Sequence, residues 1–347
     1  MTDKITTSDS KTVGQLPNTD KAQARVSTPV DRVPLAVAAD AVSERIRQTL
    51  LRSDPILGEV MSHLTSSQGK NFRASLLLAA AADANDTVPA DAITAAAALE
   101  ILHLATLVHD DVIDGADLRR GQPSVQKRFG KKIAVIGGDY LFTVCFNLIA
   151  SISARYPDKF ELFSQAMSSI CLGELRQLKH NGDTDLAVTG YLRIIAGKTA
   201  ALFALAMYSG MILSDAKERE SRLVARFGYY IGMLFQLADD CLDYASDSGT
   251  LKKTANHDLS EGVITLPLIY TFRQLPELKQ TVKDLSLNSE EIAFVVQEVI
   301  NQGGVDRTKA LADRYAVKAR KLLDRLPDQG KSQRLDRILK QIQERQF

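Results

Sequence analysis

Tryptophan is absent and cysteine nearly so, with 0 and 3 residues in a chain of 347. The thiols, Cys145, Cys171 and Cys241, are an odd number, lie far apart and each sit in an apolar stretch. That excludes a disulfide-stapled scaffold and a thiolate metal site, and it reads as small core residues in a reducing compartment. An excess of one charge is also lacking, since Lys+Arg 43 against Asp+Glu 42 leaves +1. A chain that held nucleic acid by bulk charge would be far more basic, so no nucleic-acid partner is expected. No basic segment leads into an apolar one at the N-terminus, so no secretory signal is expected. The longest apolar run, Ile93 to Val108, is interrupted by Glu100 and His103 and falls short of the roughly 20 residues of a membrane span. The expectation is a soluble, cytoplasmic protein. Short alternating strands and a strand–helix–strand rhythm are missing too.

What is there is helix. Hydrophobic residues at 45% and charged residues at 24% make an ordinary globular balance. Residues 1–34 are rich in Ser, Thr, Asp, Lys and Pro without an apolar period, and read as a disordered N-terminal tail. From 35 to 347 the reading is one all-α domain, a large bundle of long helices. Apolar residues recur at three- and four-residue spacing near 36–51, 71–84, 89–114, 131–153, 157–180, 185–209 and 215–244. Further helices are predicted near 261–275, 288–302, 304–325 and 331–346. Asp91 and Asp158 are candidate helix starts, and Ser289 with Glu290 and Glu291 is the clearest. Asn181-Gly182 and Gly303-Gly304 mark breaks.

Two acidic clusters carry chemistry. Asp110, Asp111 and Asp114 end the run from Ile93, and Asp239, Asp240 and Asp243 repeat the spacing at the end of another apolar segment. Carboxylates at i,i+3 and i,i+4 share a helix face, where they repel unless a cation lies between them. Oxygen-only ligands suit Mg²⁺. Two such faces meeting across one cavity would hold several ions, and those ions a diphosphate. Arg119 and Arg120, Lys70 and Arg73, Lys198, and Lys252-Lys253 suit an anionic substrate. Gly197-Lys198-Thr199 is not a phosphate loop, because Leu192 holds the place of the upstream glycine. Glu100-x-x-His103 resembles half of a di-iron motif, but no second copy exists.

With these residues in view, the sequence resembles the trans-isoprenyl (polyprenyl) diphosphate synthases from about residue 36 to the C-terminus. The matching stretches are GKNFR (69–73), LEILHLATLVHDDVIDGADLRRGQPSV (99–125), GGDYLF (137–142), GELRQ (173–177), GKTAALF (197–203), GMLFQLADDCLDY (232–244) and DLSEGVITLPLIY (258–270). The resemblance implies helices around a deep central cavity, a homodimer, and joining of an allylic diphosphate to isopentenyl diphosphate with roughly three Mg²⁺ per site. It implies that both Asp triads bind Mg²⁺ and the allylic diphosphate. Arg119, Lys198 and Lys253 would contact that diphosphate, with Gln236 and Thr199 beside it. Lys70, Arg73, His103 and Arg120 would hold isopentenyl diphosphate. Asn71, Ala74, Lys252, Thr254, Asn256 and Val263 depart from the family pattern, and Val263 stands where many members carry Lys.

Product length is read from the helix before the first triad. Ala105 and Thr106 leave open a cavity that bulky aromatics would cap, and one turn of 5.4 Å admits about one isoprene unit. Leu102, Phe163 and Phe142 are candidate stops. The expected product has roughly five to eight units, with geranylgeranyl diphosphate as the alternative. An accessory subunit of a heteromeric synthase and a class I terpene cyclase remain competing readings. A product of this kind implies transient membrane contact on release.

Overall fold

A computed structural model of the protein describes residues 31–52, 54–66, 69, 71–156, 160–245, 259, 262–283 and 287–344. Residues 1–30, most of the expected tail, lie outside these, as does the candidate start Asp158. Residues 31–34 do not behave as tail. Strand β1 (Arg32–Pro34) pairs antiparallel with β2 (Thr87–Pro89), Val33 opposite Val88. A three-residue strand between prolines leaves no apolar period to read.

The helices near the site are α1 (Leu35–Leu51), α2 (Gly58–Ser66), α3 (Phe72–Ala81), α4 (Ala90–Ile113), α5 (Val125–Phe129) and α6 (Lys131–Ser153). Next come α7 (Phe160–His180), α8 (Val188–Ile195), α9 (Ala201–Leu213) and α10 (Glu218–Ala245). The C-terminal part holds α11 (Leu266–Phe272), α12 (Leu278–Val282), α13 (Ser289–Asn301), α14 (Gly304–Leu323) and α15 (Gln329–Glu344). A two-residue ribbon, β3 (Leu118–Arg119) with β4 (Gln122–Pro123), follows α4.

Helix α4 is buried nearly all round, with Ala92, Ala96, Ala97, Ala98, Ile101, Leu102 and Ala105 all at 0% exposure. A helix apolar on every side belongs in the middle of a bundle. It packs along α6, while α9 lies between α3 and α10. Small residues set these distances: a Cβ on Gly210 would stand 2.3 Å from the Leu77 carbonyl oxygen. Helices α4, α6 and the rod Val188–Leu213 are long and apolar enough to cross a membrane by length and composition alone. Glu100 and His103, which interrupt the apolar run within this helix, open onto a pocket. At α13 the cap is Asn288 rather than Ser289. Its side chain accepts from Glu290 and Glu291 N–H, and the Glu291 carboxylate accepts from Asn288 N–H.

Candidate active site

The rod Val188–Leu213 is not a regular helix. Ala196–Ala200, which carries Lys198 and Thr199, is a π turn between α8 and α9. Such turns interrupt the ladder and often mark functional positions. Close backbone contact holds it: a Cβ on Gly173 of α7 would stand 2.4 Å from the Lys198 backbone nitrogen. Next to Gly173, Glu174 pairs with Lys198 Nζ at 2.8 Å.

Helices α4, α10 and this π turn enclose an open cleft of about 1120 Å³. Asp110 and Asp114 line one wall, Asp239 and Asp240 another, with Lys198, Thr199, Gln236 and Arg119 between them. The two triads thus face one cavity, but their members differ. Asp111 is buried and turned away, and its carboxylate accepts from Arg119 Nε at 2.8 Å and from Arg119 Nη2. Asp243 is half-buried and does not line the cleft. Asp240 is 2% exposed and held on both oxygens, by the Tyr191 hydroxyl and by Gln236 Nε2 at 3.1 Å. Thr199 donates in turn to Gln236 Oε1 at 2.7 Å. Val263 lines the same cleft, so no lysine charge stands at that position. Lys70, Lys252 and Lys253 lie outside the described residues.

The electrostatics ask for a cation. Burial, with Glu174 and Asp114 nearby, pushes the Asp110 carboxyl up to about 7, against the pull of Lys198 and Arg119. Burial likewise raises Asp111, with Arg119 opposing. Among the described residues no group of three or more carboxylate, imidazole or thiolate side chains is placed to hold a metal ion by itself. Carboxylates on separate walls instead fit a hard ion that keeps open positions for water and phosphate oxygens.

The β3–β4 ribbon turns through Arg120 and Gly121 at φ 53 and 78. Two consecutive left-handed residues make the tight connection of a two-residue hairpin. Arg119 lines the carboxylate cleft, and Arg120 lines a second pocket with Gly69, Asn71, Glu100 and His103. A Cβ on Gly69 would sit 2.4 Å from the Arg120 guanidinium, which would have to shift aside. Arg73, half-buried, lies 5.5 Å over the Phe203 ring and within the electrostatic reach of Glu100 and Arg120. Burial lowers Arg73 to about 10, still protonated at neutral pH, with Glu100 opposing. Burial, then Arg73, Arg120 and Arg119, depress His103 well below its usual range, so its imidazole is neutral. Glu100 Oε1 accepts from Ala74 N–H at 2.8 Å, fixing the start of α3 that carries Arg73. Leu107 lines both pockets, so they adjoin.

Sequence reasoning missed the roles of Tyr191 and Glu174 and the π turn, and it set Glu100 aside. Tyr191 lies seven residues before Lys198, two helical turns away. A buried tyrosine in an apolar segment otherwise reads as core. The π turn leaves no periodic trace.

A polyprenyl synthetase family model matches residues 54–302. Component 2 of the heptaprenyl diphosphate synthase of Bacillus subtilis (strain 168) is 32% identical over 310 residues, 89% of this chain and 88% of that protein. The crystal structure of heptaprenyl diphosphate synthase from Staphylococcus aureus superposes with a TM-score of 0.83 at 29% identity, covering 91% of this chain and 99% of the other. Polyprenyl synthase from Caulobacter crescentus CB15, complexed with calcium and isoprenyl diphosphate, gives 0.80 at 32% identity, covering 90% and 96%. With its all-helical bundle and facing Asp clusters, this chain belongs to the polyprenyl synthetase family and is a prenyltransferase.

Proposed function

We propose that the chain condenses isopentenyl diphosphate with an allylic diphosphate, farnesyl or geranylgeranyl, and repeats the step to an all-trans product of roughly five to eight isoprene units. The observation that carries this reading is a cleft walled by Asp110, Asp114, Asp239 and Asp240 that shares Leu107 with a pocket lined by Arg120, His103 and Glu100. Carboxylates alone would repel a diphosphate. Asp110, Asp114 and Asp239 have the donors to share Mg²⁺ ions with its oxygens, and Asp240 backs them. Magnesium held there would supply charge stabilisation for the departing diphosphate. Lys198, Thr199 and Arg119 place fixed donors where that charge collects. Arg73, neutral His103 and Arg120 suit the second diphosphate. Leu107, Ile194 and Ile195 give the cleft an apolar side that keeps water from the allylic cation. Carbon–carbon bond formation at C1 is followed by loss of a proton, which the released diphosphate accepts.

Product length follows the α4 face below Asp110. Thr106, Leu102, Leu99 and Ala95 recur there at four- and three-residue spacing. About 22 Å of rise separates Asp110 from Ala95, near four turns and so about four units. Ala95 lines an apolar cavity with Ile149, Phe163 and Leu205. Ala105 and Leu102 are fully buried, and the Thr106 hydroxyl donates to the His103 carbonyl at 2.8 Å. Thr106→Phe should shorten the product, because it places a ring only one turn below Asp110. Mass spectrometry of the dephosphorylated alcohols checks this, and an unchanged length would take Thr106 off the path.

Helix α6 exposes Ile133, Val135, Ile136 and Phe146, and α7 exposes Leu172, Leu175 and Leu178. We assign this face to a second copy of the chain. Sedimentation of the purified chain should give a dimer. The name of the B. subtilis relative, a component 2, supports a second reading in which a different chain covers the face. A monomer active only with an added component would favour that reading. So apolar a product leaves toward a membrane, and we place the enzyme in the cytoplasm with transient membrane contact at release.

A further inference from the structure

We propose that Tyr156, pinned by Asp91, is the stop that closes the far end of the product cavity and sets the longest product. This inference rests on the elongation reading above. The α4 face that begins at Asp110 does not end at Ala95. One turn further it reaches Asp91, a carboxylate only 7% exposed. Arg155 Nη1 donates to Asp91 Oδ2 at 2.7 Å, and the Tyr156 hydroxyl donates to the same oxygen at 3.3 Å. The group ties the first turn of α4 to the residues just beyond α6.

The cavity above this group is nearly all apolar, and the Tyr156 ring is part of its lining beside Ile152, Phe163 and Tyr208. A free aromatic ring swings aside for a growing hydrocarbon chain. A ring hydrogen-bonded to a buried carboxylate does so only by giving up that bond. A chain tip that pushed past it would meet the Asp91–Arg155 ion pair, whose desolvation is unfavourable. The cavity beside Ala95 is therefore apolar, and the Asp91–Arg155–Tyr156 group at its edge is polar. From Asp110 to Asp91 the helix rises about 28 Å, which is five turns and so about five to six isoprene units. That depth agrees with the product range argued from the cleft. Phe163, edge-on to Phe146 at 5.9 Å, lines the same cavity.

The test compares the wild type with Tyr156→Ala and Tyr156→Phe. Each is incubated with labelled isopentenyl diphosphate, farnesyl diphosphate and Mg²⁺, and the alcohols are sized by mass spectrometry beside a melting curve. Tyr156→Ala should lengthen the longest product by at least one unit. Tyr156→Phe keeps the ring and loses the hydroxyl, and should raise the share of over-length products about fivefold, the ratio one hydrogen bond controls. Should Tyr156→Ala fail to fold, Tyr156→Phe carries the test. Variants that elongate to the wild-type distribution overturn the stop while leaving the elongation reading intact. A wild type that incorporates no isopentenyl unit overturns the elongation reading, and the stop with it.

Discussion

Asp110→Asn combined with Asp239→Asn should lower turnover by about three orders of magnitude or more. Each change keeps an oxygen in place and removes one negative charge from opposite walls of the cleft. Metal-borne charge stabilisation is worth several kcal/mol, and each 1.36 kcal/mol is tenfold in rate. The loss should come without loss of fold. The Asp110 carboxyl is raised to about 7 because burial disfavours its ionised form. In the metal-free protein its ionisation therefore opposes folding progressively as pH rises from the usual carboxylate range, and fully above about 7, and asparagine removes the opposition. Melting without metal should stay level or rise while activity disappears. Asp111→Asn should cost far less, since Asp111 acts through Arg119. Kinetics and melting curves on the double variant and on Asp111→Asn check this. Near-normal turnover in the double variant would remove the carboxylate walls from the chemistry.

Gly173→Ala should damage both stability and turnover, although position 173 carries no functional group. The added methyl would lie 2.4 Å from the Lys198 nitrogen and 2.8 Å from the Gly197 carbonyl carbon. Backbone on both sides leaves no soft neighbour to give way, so α7 and the π turn must separate. Overpacking of this kind costs about 1–3 kcal/mol. The separation also moves Lys198 and Thr199, and about 1 Å of misplacement costs about a hundredfold in rate. Melting temperature should fall by several degrees, with turnover down about a hundredfold. A variant that melts lower yet turns over normally would show that the π turn position does not matter.

The helical periods were legible because a bundle buries long apolar faces. The expected segment 131–153 coincides with α6, and 304–325 with α14 to within two residues. Short elements were not legible. Helices α2, α5 and α12 and the two ribbons are too brief to show a period, and tertiary packing makes them. At the site, spacing told which carboxylates share a helix but not which way each turns. Asp111 belongs to Arg119 because the β3–β4 ribbon folds back across eight residues, a contact no helical period encodes. Glu100, set aside as half a metal motif, proves to be a hydrogen-bond anchor for the segment bearing Arg73. A buried carboxylate among three cationic or neutral basic groups is a property of the fold.

The most direct test of the account is elongation itself. Purified chain would be incubated with labelled isopentenyl diphosphate, farnesyl diphosphate and Mg²⁺, with and without EDTA, and the dephosphorylated alcohols sized. The account predicts a ladder that EDTA abolishes and that ends at about five to eight units. Incorporation that survives EDTA, or diphosphate release without isopentenyl incorporation, would contradict it.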